Sequence, residues 1–450
     1  MRGLRSTIAL IVVLAGLGAY IYFVTWKQPE GGDNNAKKNE KVFTVESDKI
    51  DEMKITSAGG DATTLKKEGG SWKVTDPVAA TADESEASGI ANALSTVEIV
   101  RVVDEHPASL NDYGLSNPRM AIDFKAAGDK DYRKLLVGEK TPTGGDLFAR
   151  RNDDKKVFLI ASYQEGTFNK STFDLRDKTV LKFERDKVDG LEVNAGGKTL
   201  AIAKEGSEWK LAKPVSARAD YGTVEGLIGR LQTARMKSIV TSEASPADLK
   251  KYGLDKPDAT VAINSGSSRA TFVVGGKAED NAVYARDASK PMVVTVESSL
   301  VDDLKKGADD YRRKDLFEFR AYNATHVEIT RGGQTVVFDR VKGGNENTPD
   351  KWRRVSPNPA DVDKDKMDAF LSKLANMRAS SFVDSTARTG LDKPAMSIVV
   401  KFDEGKKEER LSFGQSGQDV FAERPGEPGA AKTDAADFTE SMKSLDELAK

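Results

Sequence analysis

The sequence predicts an α+β protein: three tandem copies of a module of about 140 residues, each running antiparallel strands, helix, strands, helix, behind one N-terminal transmembrane helix. Three observations predict this. A single long apolar run stands near the N-terminus, the rest of the chain is charged and well solvated, and four short motifs recur three times in one order.

At 450 residues the chain is too long for one ordinary core. Charged residues make up 31% and hydrophobic residues 38%, a balance that leaves room for one membrane segment and not for a polytopic protein. Lys plus Arg (69) and Asp plus Glu (71) nearly cancel. There is no global basic field to draw the chain to nucleic acid, and no nucleic-acid partner is expected. Cysteine is absent, which excludes disulfides, thiolate metal sites, Cys nucleophiles and a lipid-modified N-terminal Cys.

Residues 1–26 are assigned as the anchor. Ile8 to Val24 is an unbroken apolar or small run, preceded by Arg2 and Arg5 and followed by Trp26 and Lys27. It reaches the lower limit of the roughly 17 to 25 residues that cross the hydrocarbon layer, and Tyr20, Tyr22 and Trp26 suit an interface. A cleaved signal peptide competes, with Ala15, Gly16 and Gly18 as small cleavage positions, but the apolar run continues past them. A short basic N-tail ahead of one apolar segment places the N-terminus inside and the modules on the extracytoplasmic side. Residues 27–41, including Pro29 to Asn39, read as a flexible linker.

Trp72-Lys73-Val74-Thr75-Asp76-Pro77 recurs as Trp209 to Pro214 and as Trp352 to Pro357, keeping Trp, a basic residue and Pro at one spacing. Tyr113-Gly114-Leu115-Ser116-Asn117-Pro118 returns as Tyr252 to Pro257 and as Thr389 to Pro394. Val137-Gly138 returns as Val274-Gly275 and Phe413-Gly414, and Phe148-Ala149-Arg150 as Tyr284-Ala285-Arg286 and Phe421-Ala422-Glu423. These set the modules at 42–182, 183–318 and 319–450.

Within a module, runs such as Met53 to Thr56, Ala62 to Lys67 and Trp72 to Thr75 alternate in polarity and are separated by Gly-Gly turns, as in an antiparallel meander. A helix follows: Ile90, Ala91, Leu94 and Val97, then Leu227, Ile228, Leu231 and Ala234, then Phe370, Leu371, Leu374 and Met377 form one apolar stripe at equal offsets. The Gly of the Tyr-Gly-Leu element suits a left-handed helix end. Met120 to Lys125, Tyr132 to Val137, Leu147 to Arg151 and Val157 to Ala161 read as strands, and Ser162 to Asp174 as a second helix, matched in the last copy by Asp437 to Lys450.

No residue qualifies as catalytic, cofactor-binding or metal-ligating, and no cofactor or small-molecule ligand is expected. The three Trp positions read as core or hairpin anchors, with stacking platforms as the alternative. Gly196-Gly197-Lys198 resembles a phosphate loop but has Glu192 where the first Gly belongs, so it reads as a hairpin turn. Asp361, Asp363, Asp365 and Asp368 lack the Gly and Glu of a calcium loop and suit a helix N-terminus. His106 and His326 stand alone and read as surface or turn residues. No nucleophile-elbow pattern appears, and the chain reads as non-enzymatic.

With the anchor, the Trp and Tyr-Gly-Leu elements, and an Arg-x-Lys segment at Arg176 to Lys178 and Arg312 to Lys314, the chain resembles the bacterial domain-of-unknown-function 4340 family. The third copy departs from the pattern, with Thr389 for Tyr and no Arg-x-Lys segment before its end. Members are commonly encoded beside ABC-2-type export systems, including gliding-motility-like ones. The resemblance therefore implies an accessory protein of the cytoplasmic membrane and envelope, with transporter permease or auxiliary subunits as partners. An envelope carbohydrate- or cell-wall-binding protein is the alternative, and a hydrolase with a site between modules a third reading.

Overall fold

The structure, a computed structural model, describes residues 39–152, 154–343 and 349–448. The expected anchor and most of the expected linker lie outside the described residues. Among the described residues no helix is long and apolar enough to cross a membrane.

The described chain is mostly β, which shifts the expected α+β balance: three nine-stranded antiparallel sheets with eight α-helices among the described residues. The first sheet contains β1 (Ile50–Thr56), β2 (Ala62–Glu68), β3 (Ser71–Asp76), β4 (Ala80–Thr81), β5 (Arg101–Asp104), β6 (Met120–Ala126), β7 (Arg133–Lys140), β8 (Asp146–Arg151) and β9 (Val157–Ala161). Helix α1 (Glu84–Thr96) lies between β4 and β5 in sequence, and α2 (Gln164–Phe168) follows β9.

The second sheet repeats this with β10 (Val188–Ala195), β11 (Lys198–Glu205), β12 (Glu208–Lys213), β13 (Ala217–Arg218), α3 (Tyr221–Thr233), β14 (Ser238–Thr241), α4 (Pro246–Lys251), β15 (Ala259–Ser265), β16 (Ser268–Lys277), β17 (Ala282–Asp287), β18 (Val293–Glu297), α5 (Ser299–Leu304) and α6 (Ala308–Tyr311). The third has β19 (Ala324–Arg331), β20 (Gln334–Val341), β21 (Lys351–Ser356), β22 (Ala360–Val362), α7 (Lys364–Ala375), β23 (Ala379–Val383), β24 (Met396–Phe402), β25 (Lys407–Ser416), β26 (Asp419–Glu423), β27 (Ala430–Thr433) and α8 (Ala435–Leu448). Two compact units divide the chain: one ends at Asp177, and the other begins at Lys178 and holds the second and third sheets.

All three sheets share one strand order, β4-β3-β2-β1-β6-β7-β8-β9-β5 in the first. The strand after the helix therefore returns to the far edge, beside the last strand. At the centre, equivalent apolar pairs face the core: Met53 opposite Phe124, Leu191 opposite Ile263, and Val327 opposite Val400. Alternate residues point to the other, polar face, where Glu52 pairs with Lys66 and Asp123 with Lys134.

The helices α1, α3 and α7 start on Asp83, Asp220 and Asp363, whose carboxylates accept hydrogen bonds from backbone N–H groups of the first turn. Their apolar stripes are buried as the spacing predicts, with Ala234 half-buried at the end of its row. The second helix is shorter than expected. In the first module it is the five-residue α2, and the chain then turns where Ser171 Oγ donates to the Asp174 carboxylate. Gly307 stands between α5 and α6 in the second module, and only the third has a full helix, α8.

Candidate interaction site at the junction of the second and third modules

The recurring motifs serve packing first. Trp72, Trp209 and Trp352 lie on β3, β12 and β21 and are 1–2% exposed, so no indole face is open to a ligand. Trp209 Nε1 donates to Glu225 of α3 at 3.1 Å. The proline that closes this motif follows a cis peptide in every copy: Asp76-Pro77, Lys213-Pro214 and Ser356-Pro357.

The other three motifs meet. Gly114, Gly253 and Gly390 take the left-handed conformation, and the carbonyl just before each lies where a β-carbon on Gly138, Gly275 or Gly414 would stand. The aromatic residues complete the contact: Tyr113 packs on Phe148 with ring centres 5.1 Å apart, and Tyr252 on Tyr284 at 4.5 Å. In the third copy Thr389 replaces Tyr, and Leu391 packs with Phe421, Ala430 and Val383 instead.

The Arg-x-Lys segment of the second module joins two sheets. Arg312 bridges Ala219, and Arg313 N–H donates to Arg218 C=O at 2.9 Å, so the segment lines the edge beside β13. Just beyond, Lys314 C=O accepts from Ala379 N–H at the start of β23, and Leu316 N–H donates to Met377 C=O. One extended stretch thus makes isolated bridges beside the edges of both sheets. Within the first unit, Arg176 likewise bridges Ala82.

Around this stretch lies a cluster of charges that sequence reasoning missed. Arg218 Nε donates to Glu427 at 2.6 Å and its Nη1 to Glu318 at 3.2 Å. Arg313 pairs with the same Glu318 oxygen at 3.1 Å. Arg424 Nη2 donates to Glu409 at 2.7 Å and to Leu316 C=O at 2.6 Å. Glu409 also accepts from the backbone N–H groups of Glu318 and Phe319. Arg312 lies over the Phe382 ring at 3.8 Å.

Burial disfavours the charged Arg218 guanidinium, but Glu427 and Glu318 outweigh it and raise its pKa above the ordinary arginine value. Burial likewise pushes Glu318 up, and Arg313 and Arg218 outweigh it, holding the carboxyl below its usual range. These carboxylates are tied to cations and form no nucleophile–base pair. The arrangement clamps two modules into one body.

The remaining sequence candidates resolve as follows. Gly196 and Gly197, both at positive φ, form the β10–β11 hairpin turn. Asp363 caps α7, and no group of acidic or His residues among the described residues could hold a metal ion. His106 is an exposed residue after β5. His326 is not in a turn: it lies half-buried on β19, its Nδ1 2.6 Å from Asp339 of β20.

A family model described as a domain of unknown function, DUF4340, matches the chain over residues 72–210, 209–389 and 352–449. No curated protein matches it. Among solved structures, a DNA polymerase sliding clamp from Pseudomonas aeruginosa aligns over 87% of this chain and 93% of its own at 9% identity, with a TM-score of 0.18. A superposition that loose carries no argument.

Proposed function

The chain belongs to the DUF4340 family, and from that premise we propose that it is a non-enzymatic, membrane-tethered accessory protein of the bacterial envelope, docking its modules onto an ABC-2-type, gliding-motility-like transport system. The apolar run Ile8 to Val24 is the tether, in the cytoplasmic membrane, with the modules on the extracytoplasmic side.

The observation that carries this reading is the clamp between the second and third modules. A shared edge stretch and a part-buried network of Arg218, Glu318, Arg424 and Glu409 fix one module against the next. Fixed tandem modules present a long preorganised surface, on which several weak contacts add through effective concentration. The rival glycan-binding reading needs indole faces in solvent, and the three module indoles are buried.

The test is crosslinking of the tagged full-length protein in its native membranes, with mass spectrometry of the products. Reproducible recovery of permease or auxiliary transporter subunits is the expected result. Recovery of cell-wall fragments alone would overturn the accessory role.

A further inference from the structure

At the clamp one guanidinium lacks a close carboxylate. Glu318, Glu409 and Glu427 are engaged with Arg218, Arg313 and Arg424 at 3.2 Å or less. The fourth guanidinium, Arg312, feels Glu427, Asp309 and Asp384, but none of them makes a close ion pair with it. Its side chain is 4% exposed, and its nearest carboxylate, Asp309, is 3.9 Å away and largely in solvent. Among the described residues its buried Nε has no hydrogen-bond partner. The Phe382 ring lies against it at 3.8 Å, and a ring quadrupole offers a fraction of what a buried cation loses on leaving water.

A narrow cavity adjoins this group, lined by Arg218, Arg312, Arg313 and Arg424, by Glu427, whose carboxylate is held by Arg218, and by apolar residues such as Leu316 and Phe382. Its volume of about 20 Å³ admits one particle near the size of a water molecule. A water would supply an acceptor but no charge, whereas a monatomic anion supplies both.

We propose that this cavity is a halide site, in which a chloride ion neutralises Arg312 and completes the clamp between the second and third modules. The ion would bind only when the two modules are docked, since Arg218, Arg312 and Arg313 come from one and Arg424 from the other. Chloride thereby stabilises the docked form by linkage.

The experiment uses the full-length protein in detergent, melted at constant ionic strength in sodium chloride and in sodium gluconate, with the chloride NMR line width measured alongside. The expected result is a melting temperature a few degrees higher in chloride, saturable broadening of the chloride line, and loss of both in Arg312→Gln but not in the remote, exposed Lys406→Gln. Equal melting in the two salts with no broadening would overturn the proposal and assign the cavity to water. If Arg312→Gln does not fold, the wild-type comparison of the two salts decides alone.

Discussion

A β-carbon on Gly275 would overlap the carbonyl oxygen of Tyr252, and the same relationship joins Gly138 to Tyr113 and Gly414 to Thr389. Two motifs well separated in sequence are thus two sides of one close approach. Gly275→Ala must move backbone against backbone and is expected to cost about 1–3 kcal/mol. The control is Gly226→Ala, an exposed position inside α3 with open space around it, where the change should stabilise by about 0.5–1 kcal/mol. Urea unfolding of both variants checks the contrast; a loss at both would mean that the overlap is not what the glycine relieves.

The indoles of Trp72, Trp209 and Trp352 occupy equivalent core positions. Each Trp→Ala change is expected to cost about 3–5 kcal/mol. In the native protein, acrylamide should leave the emission of these three largely unquenched, and ready quenching of all three would contradict their burial.

Asp83, Asp220 and Asp363 cap equivalent helices. Replacing any one with Ala should lower stability by about 0.5–2 kcal/mol. Thermal melts of the three single variants are expected to show losses in that range, because each gives up a hydrogen bond from the backbone N–H three residues on.

Arg218→Met leaves Glu427 without its close partner, and the loss is expected to approach about 3 kcal/mol, the lower end for breaking a buried pair. A double-mutant cycle with Glu427→Gln should recover part of it; strict additivity would show that the two do not interact.

The clamp should also respond to acid. Glu318 has its pKa depressed in the folded state because Arg313 and Arg218 outweigh its burial. Its contribution is therefore complete above the ordinary glutamate range of about 4.3 and is lost as pH falls through the lower folded value. Melting curves of Glu318→Gln should show a weaker acid dependence in that window than those of the wild type.

Much of the fold was legible because the alternation of Met53, Ile55 and Leu65, or of Met120, Ile122 and Phe124, repeats at equal offsets in each copy. The edge strands were not: β4 and β13 have two residues each, too few to show a period. The second helix was over-extended because Ser171 and Asp174 turn the chain instead of continuing it. The clamp left almost no signal. Arg218, Glu318 and Glu427 are far apart in sequence, occur in one junction only and share no spacing that a motif could reveal. Arg312 alone was visible, through the Arg-x-Lys segment.

The strand order carries a consequence for synthesis. In the first sheet β5 has β9 as its neighbour, and in the third β23 has β27. A nascent module therefore cannot close its far edge until its final strand has left the ribosome, although the meander and helix are long since made. Completion of each sheet therefore waits on the last strand of its own module and on none of the module that follows.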